Sequence, residues 1–186
     1  MFIDFLALML IDLVAGLLLF AVYFFWFLEE GQQKMAAGFL AVGFIQTVTG
    51  LDIIFRWPLP GSYNVGFGEP AVMFGVLFFT LGLAILLDWD LLSLGIVAVI
   101  FGAVAIVVGI RILNMGLTKE PVLTFFAYLL SGLVGLAALP GYYLREYPII
   151  RALVDLAALG AAILWAITGY ASYWGHLESF AKWKPS

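Results

Sequence analysis

Few side chains in this sequence can do chemistry, and a handful of them fall where water is scarce. Asp12, Asp52, Arg56, Arg111, Arg151 and Asp155 lie within or at the ends of long apolar runs, and one histidine, His176, follows near the end. An ionised group in hydrocarbon costs several kcal/mol unless it is paired or hydrated, so such residues mark ion pathways, proton relays or helix-locking pairs. Asp52 has Arg56 at i+4 and Asp155 has Arg151 at i−4, spacings that favour local ion pairs. Asp12 has no basic residue one turn away on either side, and Gly16 leaves room beside it for another helix or a file of water. The plainer alternative for all of these groups is that they reach to the membrane surface or fasten helices together.

Site chemistries can be tested against the inventory. A single histidine cannot supply paired axial haem ligands, and zero cysteines exclude disulfides and thiolate metal sites. A carboxylate site from Asp12, Asp52 and Glu69 with His176 could hold a divalent cation, but no spacing requires one. Nucleophile motifs, phosphate-binding loops and dinucleotide fingerprints are absent, so no catalytic residue, cofactor or metal is assigned. A net charge of −4 without a basic cluster argues against nucleic acid.

The elements that must position these groups follow from composition. The chain is 65% hydrophobic and 11% charged, with a mean hydropathy of +1.14, far from the soluble balance of about half apolar and about a quarter charged. A hydrocarbon core of roughly 30 Å needs about 20 apolar residues per helical crossing. Six such runs divide the sequence: Ile3 to Leu28, Met35 to Phe55, Ala71 to Leu87, Leu91 to Leu117, Val122 to Leu139 and Ile149 to Trp174. They lack the alternation of barrel strands, and a lipid-exposed backbone must satisfy its own hydrogen bonds, so all six are expected to be helices. The fold class is therefore all-α, a polytopic membrane bundle forming one domain over residues 1–186. The first run is too long for a cleaved signal and is expected to be retained. Trp26, Trp57, Trp89 and Trp174 fall at run ends, where amphipathic rings sit at headgroup level, with Trp165 the exception.

Glycine recurs every seventh residue at Gly95, Gly102, Gly109 and Gly116, and the device returns at Gly68, Gly75 and Gly82 and at Ala36, Gly43 and Gly50. Such stripes let neighbouring backbones approach closely. Sliding the sequence by 59 places aligns Gly43 with Gly102, Gly50 with Gly109 and Asp52 with Arg111, and Glu69-Pro70 and Glu120-Pro121 each open a following run. Two readings stay open: a parallel internal repeat of helix hairpins, or the chance likeness of glycine-rich apolar segments. Under the repeat, Asp52 and Arg111 invite an ion pair. Glu69 and Glu120 are also explained by the helix start alone, where proline suits the first turn and a carboxylate suits the dipole.

Alternating the helices brings Asp12, Asp52, Arg56, Glu69, Arg111, Glu120 and His176 to the half of the membrane nearer the termini. A water-accessible cavity is expected there, with Gln46, Thr47 and Thr49 extending its polarity. Its lid would be the segment from Trp57 to Pro70, where three prolines stiffen the backbone and Tyr63, Asn64 and Phe67 lie near the membrane surface; a simple structured turn is the alternative. Arg56, Lys119, Lys182 and Lys184 on the terminal side, against Lys34, Arg145 and Arg151 on the other, favour a multi-pass cell-membrane protein with both termini cytoplasmic.

At Phe55-Arg-Trp-Pro-Leu-Pro-Gly-Ser-Tyr-Asn64 and Phe67-Gly-Glu-Pro70 the chain resembles a family of small prokaryotic membrane proteins, domain of unknown function 981. The resemblance covers nearly the whole chain. It implies no activity and transfers no catalytic residues, only that the loop and Glu69 belong to a shared design. The leading expectation is a transporter-like or channel-like protein, compatible with a homo-oligomer, that handles a proton or cation. In it Asp12 and Glu69 accept the ion, and Asp52 and Arg111 form a switchable pair. The alternative is a non-catalytic membrane subunit that binds a lipid, quinone or partner protein through Phe55, Trp57, Tyr63 and Phe67. An enzyme built on the carboxylates and His176 is a third, weaker option.

Overall fold

The computed structural model describes residues 5–181 and contains six helices, each long and apolar enough to cross a membrane. They are α1 (Leu6–Val22), α2 (Gln33–Arg56), α3 (Glu69–Leu87), α4 (Leu92–Met115), α5 (Pro121–Tyr143) and α6 (Pro148–Phe180). A π-helical turn, Tyr23–Phe27, prolongs α1, and another, Asn64–Gly68, leads straight into α3. The start of the first expected run, together with Lys182 and Lys184, lies outside the described residues.

Helix ends depart from the expected ones for local reasons. α5 runs past Leu139 because Pro140 is near its last turn, where little is lost; the Pro140 carbonyl still accepts from the Leu144 N–H at 2.9 Å. α4 stops two residues short, at Met115. Gly116, expected as the fourth member of a helical stripe, instead takes the left-handed conformation (φ +57°) that ends the helix. Nor does Glu69-Pro70 open its helical run, because winding begins at Asn64 and the expected lid shrinks to the connection from Trp57 to Tyr63.

Consecutive helices alternate in direction. α2 and α3 form the most extensive seam, α4 and α5 nearly as large a one, and α1 closes the ring against α6. Both hairpin seams are backbone against backbone. A Cβ added at Gly75 would lie 2.5 Å from the Thr47 backbone nitrogen, and one at Gly102 would lie 2.6 Å from the Gly132 carbonyl and 2.7 Å from the Leu136 nitrogen. Real Cβ atoms do not approach so closely, so these positions exclude any side chain. The hairpins touch each other sparingly through α3 and α4. Lipid-facing surface is provided by Ile96, Ile100, Val107 and Ile110 on α4 and by Leu156, Ile163 and Ile167 on α6, all exposed.

Candidate functional site

Asp12 is buried on α1 and forms no ion pair among the described residues. Its neighbour is Gln46 on α2, itself 1% exposed. In the orientation that satisfies its surroundings, the Gln46 amide nitrogen donates to Asp12 Oδ2 at 3.2 Å and to the Met9 carbonyl at 2.9 Å. This is a polar clasp between two membrane helices, formed where an unpaired carboxylate would be costly.

Asp52 closes on Arg56 in its own helix, at 2.8 Å. The expected pair with Arg111 is not formed: α2 is committed to α3 and α4 to α5, and Arg111 is exposed on α4. Arg151 stands near Asp155 without making a direct ion pair with it. It reaches across to Glu29, in the connection after α1, while both Asp155 carboxylate oxygens are buried without a hydrogen-bond partner. Glu69 and Glu120 are exposed at or near helix starts, and the Glu120 carbonyl accepts from the Thr124 N–H at 3.0 Å. His176 is half-buried near the end of α6, its ring edge-on to Phe180. These charges therefore occupy separate helix ends. Among the described residues no three His, Cys, Asp or Glu side chains converge as a metal site would need.

The segment from Trp57 to Gly68 is a built turn. Trp57 ends α2 in a left-handed conformation (φ 51°) and is half-exposed. Asn64 is fully buried: its Oδ1 accepts from the Leu59 N–H at 2.9 Å, and its Nδ2 donates to the Leu59 and Gly61 carbonyls. The Tyr63 hydroxyl donates to the Leu117 carbonyl, and its ring stacks on Phe67. From α5, the Tyr128 hydroxyl donates to the Gly66 carbonyl. Trp165 of α6 meets Tyr128 edge-on with ring centroids 4.9 Å apart, and its Nε1 donates to Ser131 at 2.9 Å. Trp165, out of place for an interfacial tryptophan, is thus an internal strut with its N–H satisfied. The turn is tied to the α4–α5 connection and to α5 by two tyrosine hydroxyls.

Two cavities lie along the bundle. The smaller, about 10 Å³, is in the half holding the termini, between Gln46, Phe67, Tyr128 and Trp165. The larger, about 100 Å³ and partly open to the exterior, lies in the opposite half, between α1, α3, α4 and α5. Phe74 borders both. The half expected to hold a polar cavity contains the smaller void, and an apolar cavity lies in the other half. The sparing contact of α3 with α4 leaves that apolar gap.

The larger cavity is lined by Leu17, Phe20, Phe24, Leu77, Leu81, Leu94, Ala98 and Leu139, with Tyr23 and Tyr142 the residues that bring hydroxyls to it. From Leu28 at its outer end to Leu17 is about 16 Å at the helical rise, close to half of a hydrocarbon core of about 30 Å. Its depth is that of one leaflet. No sequence signal marked it, because the leucines and phenylalanines that line it are the same residue types that face lipid. No curated protein and no solved structure matches the chain. The family described as protein of unknown function (DUF981) matches residues 1–179, spanning all six helices and the tied turn, and the chain belongs to that family.

Proposed function

We propose that this protein is a multi-pass membrane protein, both termini cytoplasmic, that binds the hydrocarbon chain of a lipid-like molecule in the cavity between α1, α3, α4 and α5. The observation that carries the reading is a partly open chamber, one leaflet deep, lined by apolar side chains apart from the hydroxyls of Tyr23 and Tyr142. Apolar pockets with a few polar groups at one end suit amphiphiles, since burying hydrocarbon there costs no hydrogen bond. Protein purified in mild detergent is expected to retain lipid detectable by native mass spectrometry. Leu94→Trp, which places an indole in the chamber, should remove most of it, whereas Val97→Trp, on the exposed face of α4, should not. Equal retention by wild type and Leu94→Trp would defeat the proposal.

A second reading, that the protein handles a proton or cation, is supported by the buried Asp12–Gln46 clasp. In it Asp12 is the acceptor, and Asp52, Arg56, Glu69, Arg111, Glu120 and His176 are approach groups at helix ends. Reconstituted protein should then conduct ions or protons, and Asp12→Asn should lower the flux at least about tenfold, a change in barrier of ~1.4 kcal/mol. Identical flux in wild type and Asp12→Asn would eliminate it.

A further inference from the structure

The outer end of the large cavity differs in chemistry from its walls. Tyr142 lines it there, and the Arg145 guanidinium lies over the Tyr142 ring, 4.7 Å from its centroid, with Nη1 donating to the Tyr142 carbonyl at 2.9 Å. On the other side Leu28 and Tyr23 line the cavity. Gln32 spans them, its Nε2 donating to the Leu28 carbonyl at 2.6 Å and its Oε1 accepting from the Tyr23 hydroxyl at 3.5 Å. A hydrogen-bonding collar therefore rings the end of an oily chamber at the depth where a lipid's headgroup meets its chains.

Arg145 is the cation of that collar, at an end of the bundle that also carries Lys34 and Arg151 and five acids. Among the described residues Arg145 makes no ion pair, whereas Arg56 and Arg151 each hold a carboxylate. Of the acids at this end, Glu29 is taken by Arg151, and Asp90 accepts the Leu92 N–H at 2.7 Å. Glu30, Asp88 and Glu146 are exposed. Arg145 carries five N–H donors, one of them committed to Tyr142, and stacking on the ring fixes its plane. A held guanidinium with spare donors fits the oxygens of a phosphate.

Resting on the lipid-binding reading, we propose that the cavity takes a lipid with an anionic phosphate-bearing head and that Arg145, seated on Tyr142, is the group that selects it. The competing explanation is that Arg145 only caps the last carbonyls of α5. Detergent-solubilised protein would be given equal amounts of dioleoyl phosphatidylglycerol and dioleoyl phosphatidylcholine, which share chains and phosphate but differ in net charge, and bound lipid counted by native mass spectrometry. Wild type should prefer the glycerol lipid about tenfold, because in phosphatidylcholine the quaternary ammonium offsets the attraction of the phosphate for the guanidinium. Arg145→Gln should bring the two to near equality, and Arg145→Lys should keep part of the preference. Wild type without a preference, or Arg145→Gln with the wild-type preference, overturns the assignment, and the former does so even if the variants fail to fold. Leu94→Trp separates the two levels. If it loses both lipids while wild type holds them equally, chain binding stands and headgroup selection falls; if it keeps both as wild type does, both fall.

Discussion

Gly102→Leu is expected to prevent the α4–α5 hairpin from closing. A Cβ at Gly102 would meet the Gly132 carbonyl at 2.6 Å and the Leu136 nitrogen at 2.7 Å, and both are backbone atoms that no rotamer change can move. Gly132 and Gly135 face it from the other helix, and a Cβ at Gly135 would lie 2.8 Å from the Gly102 Cα, so the contact is reciprocal. Overpacking against side chains costs about 1–3 kcal/mol, and a clash with backbone along a whole seam should exceed the upper end of that range. Dodecyl sulfate titration followed by circular dichroism should show the variant unfolding at much lower detergent fraction, or failing to accumulate. Gly175→Ala is the control. Nothing lies within 4 Å of the added atom, and alanine gains up to about 1 kcal/mol over glycine within a helix. Equal stability of wild type and Gly102→Leu would mean that the seam can part, and the packing account would have to be abandoned.

Asn64→Leu should loosen the turn before α3 by about 2–4 kcal/mol, the sum of three hydrogen bonds and the exposure of their abandoned partners. The asparagine side chain is the only part of the turn that grips Leu59 on both its N–H and its carbonyl. Leucine has the same branched heavy-atom skeleton but leaves those groups buried and unsatisfied. Proteolysis of reconstituted protein should then cut between Trp57 and Tyr63, where wild type resists, while the helices stay intact. The wild-type cleavage pattern in this variant would show that the prolines alone hold the turn. Tyr128→Phe and Tyr63→Phe, each removing one hydroxyl tie, should produce milder versions of the same change.

What could be read from the residues was what solvent dictates. Six runs of lipid-compatible length are six helices, because backbone in hydrocarbon has no other partner. Gly43, Gly75 and Gly102 meet neighbouring backbone. Pairings that depend on which helices meet were not legible. Asp52 and Arg111 matched under a sequence shift, yet they belong to separate hairpins, and the nearer Arg56 captured the carboxylate. Pro58, Pro60 and Gly61 read as a loop reaching to Pro70, whereas the chain resumes winding at Asn64 because that side chain folds back on Leu59. Gln46 was visible only as polarity in an oily helix. Its partner, Asp12, is chosen by the crossing of α1 and α2. The internal Trp165–Ser131 contact and the apolar chamber depend wholly on tertiary arrangement.

The seam between α1 and α6 joins helices far apart in sequence, and this sets an order of assembly. The hairpins α2–α3 and α4–α5 can zip up as soon as each pair has entered the bilayer. α1 must wait for α6, which emerges after them, before Gly169 can receive Ile11 and Arg151 can reach Glu29. Ring closure is then the final event of biogenesis, and nascent chains halted before Trp165 would display an unsealed flank to quality-control proteases.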